Sequence, residues 1–300
     1  MILAITGGTG FVGSHLMGQA VAAGHRVRAL TRRPQAERSG VTWIAGALDQ
    51  PAALDRLVEG AEAVVHVAGV ISGSGEAFRL GNLVGTQNMV GAAMRAGVGR
   101  FVHVSSLAAR LPDLSRYGAS KLAAEAPVIA DAPGWTILRP PAIYGPGDHE
   151  LIDLFRLAKW GLVPVPAGGR LSAIHVADLC RLLLACVTEP AATHGLYEPD
   201  DGREGGWTKR AFGRAIARAV GRPAIVLPLP KPLLVAGSAI DRAIRGKAAK
   251  LTPDRVAYFT HPDWAVRPEA RPPASLWRPQ VDTQEGLTET ARWYRDAGWL

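Results

Sequence analysis

The 300-residue sequence is short of cysteine, sparing with aromatics and free of crowded charge. Its only cysteines, Cys180 and Cys186, stand six apart in a stretch of helical pattern, which turns them to different faces, too far apart to bridge. That excludes a disulfide framework and leaves two core thiols in a reducing compartment. No uninterrupted apolar run approaches the roughly 20 residues that span a bilayer. The opening Met1-Ile2-Leu3-Ala4-Ile5-Thr6 carries no basic flank, so a buried strand is expected there in place of a signal peptide, and a cytoplasmic location for the protein. The net charge of +8 would suit a nucleic-acid partner, but arginine is scattered, no block of five or six like charges occurs, and zinc-finger and RRM signatures are missing. The excess of cations is read as a field for an anionic cofactor, and no nucleic-acid partner is expected.

What is present is ample for a core: 48% of the residues are hydrophobic and 20% charged, enough for one large domain or two modest ones. The first half alternates short apolar runs, expected as strands over 2–6, 26–31, 41–45, 63–68, 101–105 and 135–139, with helical patterns over 13–23, 52–58, 78–96 and 117–130. Gly24, Gly60 and Gly97 follow three of those helices as stop signals. This order predicts an α/β protein with a Rossmann-type, doubly wound parallel sheet. Near Pro140-Pro141-Ala142-Ile143-Tyr144-Gly145 the alternation breaks, which divides the chain into a cofactor-binding domain over 1–145, to which 171–198 returns, and a substrate lobe from 146–170 and 199–300. Within that lobe a helix is expected over 150–160, then a proline- and glycine-rich turn, a strand over 171–175 and a helix over 176–187. Residues 262–279 read as an irregular surface connection before a packed helix over 283–296.

Gly8-x-Gly10-x-x-Gly13 directly follows the first apolar strand and opens a helix, the setting in which glycines let the backbone approach a pyrophosphate at a helix N-terminus. Gly7, Thr9, Gly10, Phe11, Val12 and Gly13 are the candidate phosphate cradle. A site for NAD places an acid at the end of the second strand, to bind the ribose hydroxyls; here stand Thr31, Arg32 and Arg33. A hydroxyl and two guanidinium forks suit a 2′-phosphate, so NADP(H) is expected over NAD(H).

Ser105-Ser106 ends the fifth expected strand, and Tyr117-Gly118-Ala119-Ser120-Lys121 begins the next helix. The four-residue spacing puts Tyr117 and Lys121 on one helix face, where an ammonium lowers the phenol's pKa. With the glycine loop, Ser106, Tyr117 and Lys121 resemble the Ser/Tyr/Lys centre of short-chain dehydrogenases/reductases. The resemblance implies that Tyr117 exchanges a proton with a carbonyl or alcohol oxygen, that Ser106 bonds that oxygen, that Lys121 holds the nicotinamide ribose, and that Asn82 helps order a proton path. It also implies that Leu48, Ala68 and Pro140 line the cofactor.

Arg139-Pro140-Pro141-Ala142-Ile143-Tyr144-Gly145-Pro146-Gly147-Asp148 and Ile174-His175-Val176-Ala177-Asp178-Leu179 are similar to motifs of the extended, epimerase/dehydratase-like branch. For His175 and Asp178 the expectation is structural, a cap or loop anchor. Three departures point to atypical extended members, such as the dehydrogenase-like accessory subunit group of respiratory complex I: Ala47 where many relatives have an aspartate, a short 106–117 stretch, and the loose motif Val67-Ala68-Gly69.

The leading expectation is an NADP-dependent oxidoreductase that interconverts a carbonyl and an alcohol on a mainly apolar small molecule. The alternatives are a non-catalytic NADPH-binding assembly or sensor protein and a nucleotide-sugar epimerase or dehydratase. The apolar preference rests on Leu151, Ile152, Leu154, Phe155, 162–166 and Trp207, together with the absence of a clamp pattern in Arg156, Arg170 and Arg203. No metal site is expected. Residues 232–250 mix Leu233, Leu234, Val235, Ala236 and Ile240 with Arg242, Arg245, Lys247 and Lys250; they are read as a helix covering the lobe, with peripheral contact to an anionic membrane as the alternative.

Overall fold

A computed structural model of the chain describes residues 1–246, 249 and 251–300. In chain order the first elements are β1 (Ile2–Thr6), α1 (Phe11–Ala22), β2 (Arg26–Thr31), β3 (Val41–Ala45), α2 (Pro51–Val58) and β4 (Ala63–His66). Next come α3 (Gly75–Phe78), a π-helical turn (Arg79–Val84), α4 (Gly85–Arg95), β5 (Arg100–Val104), α5 (Arg116–Asp131) and β6 (Trp135–Leu138). Then follow β7 (Ala142–Tyr144), α6 (Ile152–Lys159), β8 (Leu162–Pro166), β9 (Arg170–Leu171), β10 (Ala173–His175), α7 (Val176–Thr188) and β11 (Gly195–Tyr197). The last are β12 (Trp207–Thr208), α8 (Lys209–Val220), β13 (Ile225–Leu229), α9 (Lys231–Arg245), α10 (Pro253–Thr260), β14 (Asp263–Trp264) and α11 (Thr283–Asp296).

The chain divides into two compact units, Met1–Pro140 with Val176–Pro199 and Ala270–Arg278, and Pro141–His175 with Asp200–Glu269 and Pro279–Leu300. Residues 141–145, 171–175, 199 and 270–278 therefore fall on the other side of the division from the one expected from the sequence.

The first unit is built on a parallel seven-stranded sheet in the order β11-β6-β5-β4-β1-β2-β3. Strands such as Ala63–His66 are buried at every position, the pattern of a sheet covered on both faces. Helix α1 packs with α7, while α2 packs with α4 and α4 with α5. In α2, Pro51 supplies the preset φ of a first turn, and Ala53, Leu54, Leu57 and Val58 form a helical stripe turned inward. Leu54, Leu57, Val64, Met89, Phe101, Val128 and Ile137 share one core cluster. The strand order reverses between β1 and β4, and that switch point is where an open α/β sheet leaves a crevice beyond its strand ends.

The second unit holds short strand pairs, β7 with β10 and β8 with β13, and the trio β12-β9-β14, against α6, α8 and α11. One expectation is corrected here. The proline-rich 162–166 is a strand, not a turn: β13 pairs with it in parallel from Ile225↔Leu162 to Leu229↔Pro166, and a two-stranded sheet has the free edges that accommodate Pro164 and Pro166. Residues 262–279 run largely exposed and irregular, as expected of a connection, but are pinned at several points: Trp264 and Val266 are buried. Trp264 pairs with β9, while in the first unit Ala270 accepts a bond from Glu198 N and Trp277 Nε1 donates to Asp178 O.

Candidate active site

The glycine loop forms a tight turn closed by Gly10 N donating to Gly7 O at 3.0 Å. Gly7 has φ +74°, and a Cβ on Gly13 would lie 2.0 Å from Gly7 O, so neither position accepts a side chain. Helix α1 starts at Phe11 with no side-chain cap and no acid in its first turn, which leaves its N–H groups and partial positive charge for an anion. Thr6 Oγ1 accepts from Ala68 N at 3.2 Å and so ties the loop after β4 to the end of β1. Thr9, Phe11 and Val12 lie on or beside the loop, incompletely buried. These features fit a dinucleotide's pyrophosphate.

At the end of β2, Arg32 and Arg33 are exposed. Thr31 does not reach outward with them: its hydroxyl donates to Arg33 O at 2.7 Å and accepts from Arg33 N at 3.3 Å, shaping the turn that presents the two guanidinium groups. Leu48 lies against Gly85, and its carbonyl accepts from Asn88 Nδ2 at 2.8 Å. Pro140 is buried, with its carbonyl bonded to Leu107 N at 2.9 Å.

Ser115 caps α5 by accepting from Gly118 N at 3.0 Å, which places Tyr117 in the first turn and Lys121 one turn later. Ser106 caps the 3₁₀ turn Leu107–Arg110, its Oγ accepting from Ala108 N at 3.2 Å. A Cβ on Gly118 would lie 2.6 Å from Ala108 O, so that turn sits directly on the start of α5 and brings Ser106 to the corner occupied by Tyr117. Accepting from Ala108 leaves the Ser106 proton to donate to a substrate oxygen. Ser105 is committed elsewhere: its Oγ donates to Glu125 Oε1 at 2.5 Å. The Tyr117 ring is half-buried beside Phe78, 6.3 Å between centroids.

Lys121 is buried, and its Nζ donates to Val104 O at 2.7 Å. Burial pulls its pKa down to about 8, against the opposing pull of Glu125. Gly69 packs closely here: a Cβ on it would lie 3.2 Å from Asn82 Oδ1, which would have to shift by a few tenths of an ångström, and in ordinary contact with Lys121 Nζ at 3.6 Å. Asn82 sits in the π-helical turn, a local widening often found at functional sites. Its amide donates to Val70 O and Ser120 Oγ and accepts from Val70 N at 2.6 Å, so its side chain clamps the loop over Lys121.

The sequence reading passed over Glu125, although it stands four residues after Lys121 on the same helix face. Arg139 Nε and Nη2 grip its two oxygens at 2.8 and 2.6 Å, and both groups are largely withdrawn from water. Glu198 extends the network, 3.4 Å from Arg110 Nη1 and 4.0 Å from Arg139 Nη1. Equally unread was His66, bonded to Thr6 at 2.7 Å and Thr86 at 3.0 Å. Thr86 donates to Asn82 O, which leaves Nε2–H as the donor of a neutral His66.

His175 and Asp178 are buried. His175 lies edge-on to Tyr144 with its Nε2 3.7 Å from Glu289, and Asp178 pairs with Arg181. The apolar residues offered as a substrate surface are mostly core: Ile152, Phe155, Val163, Val165 and Trp207 belong to the second unit's buried cluster, with α6 packing Ile152 and Phe155 against β8 and α8 and β8 itself carrying Val163 and Val165. Arg156 is bonded to Trp299 O and Asp153, Arg170 to Gly205 O, and Arg203 stacks on Trp207 at 4.1 Å, so each has a local partner. Among the described residues no group of three His, Cys, Asp or Glu side chains is placed to hold a metal.

The model of the NAD dependent epimerase/dehydratase family matches residues 3–197. A ceramide reductase from Caulobacter vibrioides is 40% identical over 309 aligned positions, covering 100% of this chain and 96% of that protein. Among solved structures, human epimerase family protein SDR39U1 with NADPH superposes with a TM-score of 0.74 at 19% identity, covering 97% of this chain and 99% of the other. The dTDP-glucose 4,6-dehydratase DesIV from Streptomyces venezuelae with NAD bound gives 0.74 at 24% identity, covering 100% and 98%. At those identities the structures speak for the fold alone. The glycine cradle, the parallel sheet and the family match agree: this chain belongs to the NAD dependent epimerase/dehydratase family, within the extended short-chain dehydrogenases/reductases, enzymes that work with a nicotinamide cofactor.

Proposed function

We propose that the protein is an NADP(H)-dependent reductase that converts a ketone on a ceramide-type, largely apolar lipid into the alcohol. The full-length likeness to the ceramide reductase supports the substrate class. The observation that carries the chemistry is the corner at the ends of β5 and the start of α5, where Ser106, Tyr117 and the buried Lys121 are set by backbone bonds. The glycine loop and the start of α1 would hold the pyrophosphate, and Arg32 and Arg33 the 2′-phosphate, where a bound nicotinamide supplies the hydride. Ser106 donates its hydroxyl proton to the substrate oxygen and orients it. Tyr117 gives that oxygen its proton as charge develops on it, and the Lys121 ammonium lowers the cost of the phenolate left behind. Asn82 holds the 69–70 loop in place over Lys121. The site lies in the cytoplasm on this reading, the reducing compartment that suits two buried free thiols.

The test is NADPH oxidation with a ceramide-type ketone, followed by identification of the alcohol. Turnover is expected for the wild type, and Tyr117→Phe should lose about 10²–10⁴-fold with its NADPH affinity intact. Full activity in Tyr117→Phe, or turnover of UDP-sugars but no lipid ketone, would refute the assignment.

A further inference from the structure

Helix α9 presents an apolar face outward. Leu233, Ile240 and Ile244 are 58%, 60% and 77% exposed, and Ala236, Ala239 and Ala243 are exposed between them. At 100° per residue these six positions fall within an arc of about 140°. The inward side is the more polar one: Ser238 is the buried residue of the helix, and Asp241 accepts from Leu251 N at 2.8 Å. Gly237 faces the Leu251 side chain, and α10 packs alongside. A surface helix of a water-soluble unit normally has the opposite polarity.

The charge near this face has one sign. Residues 231–250 contain Lys231, Arg242, Arg245, Lys247 and Lys250 against the single acid Asp241, and Asp241 is spent on Arg245 at 3.3 Å. Lys247 and Lys250 lie outside the described residues. Lys231 and Arg242 stand beyond Val235 on one margin of the arc, on stems long enough to reach past an apolar surface. A second copy docked face to face would bring the same cations together, so charge complementarity selects an anionic occupant.

We propose that α9 is an interfacial anchor that lies in the headgroup layer of an anionic membrane, with Leu233, Ile240 and Ile244 among the acyl chains and the basic residues at the phosphates. The docking stands on the helix alone; its use, access to a substrate held in the bilayer, rests on the reductase reading.

The experiment is co-sedimentation of the full chain with vesicles of phosphatidylcholine alone and of phosphatidylcholine mixed with phosphatidylglycerol, at low and high salt. Binding to the anionic vesicles should exceed that to the neutral ones by at least about tenfold and weaken with salt, since the cations are drawn to anionic headgroups and that attraction is screened by ions. The triple variant Leu233→Ser/Ile240→Ser/Ile244→Ser should lose at least about tenfold in binding and keep its NADPH affinity. Lys231→Gln/Arg242→Gln should lose the preference for anionic vesicles. Absence of vesicle binding would overturn the proposal. So would a wild-type dimer that becomes monomeric in the triple variant, because α9 would then join two copies. Vesicle binding without turnover of a lipid ketone leaves the anchor standing and removes the substrate reading; turnover of a dispersed ketone without vesicle binding does the reverse.

Discussion

Arg32 and Arg33 show how much a pair of side chains can decide. They stand where an acid would serve the adenosine ribose of NAD, and the Thr31 hydroxyl holds the turn that carries them. A charge-assisted bond to a 2′-phosphate is worth about 1.5–3 kcal/mol, roughly ten- to a hundredfold in affinity. NADPH is therefore expected to bind at least about tenfold more tightly than NADH. Arg32→Ala and Arg33→Ala, titrated by nicotinamide fluorescence, should erode that ratio by weakening NADPH alone. Equal affinities in the wild type, unchanged in both variants, would remove the argument.

On the scale of elements, the site is a junction of β5, α5 and the end of β6, and Glu125 is its fastener. It takes the Ser105 hydroxyl from the end of β5 and the Arg139 guanidinium from beyond β6, and its charge opposes the burial that lowers the Lys121 pKa to about 8. On the proposed chemistry the Lys121 ammonium supports Tyr117; it is present below that value and lost above it, so turnover should decline above about pH 8. Removing the carboxylate in Glu125→Gln withdraws the group that holds the Lys121 proton. The alkaline limb of kcat should then move to lower pH, alongside a stability loss from leaving Arg139 short of a partner, of the order of 3–5 kcal/mol for a broken buried pair. A variant slowed equally at every pH, with its limb unmoved, would make Glu125 a structural residue only.

At the scale of the whole molecule, acid tolerance should be set from the middle of the sheet. His66 and His103 are buried and stacked on β4 and β5 with centroids 5.4 Å apart. Burial, with Lys121 near, lowers the pKa of His66 to about 3 and that of His103 well below its ordinary value. Unfolded, each takes a proton near 6.5. Below that pH the unfolded chain binds more protons than the folded one, so stability falls as pH falls, by about 1 kcal/mol per pH unit per histidine. Among the described residues neither ring nitrogen of His103 has a hydrogen-bond partner, so His103→Leu removes an uncompensated polar burial. Denaturant unfolding at pH 7, 6 and 5 should show a shallower acid decline in His103→Leu than in the wild type. Parallel declines would show that His103 does not control it.

Local chemistry made part of this legible in the chain alone. Alternating apolar runs and helical stripes announced β1 to β6 within about two residues of their ends, since a sheet buried on both faces needs continuous apolar strands. The glycine spacing announced the cradle, because only glycine tolerates Gly7's φ and Gly13's contact. Tyr117 and Lys121 could be paired because helical periodicity alone puts them on one face. Tertiary structure decided the rest, because the deciding partners are remote in sequence. Pro164 and Pro166 became a strand only when residues 225–229 paired with them. Ile152, Phe155 and Trp207 became core and not pocket through packing that no local pattern specifies. Glu125 gained its meaning from Arg139, and Asn82 from Val70 and Ser120, when folding carried them out of water to where an unpaired polar group is costly.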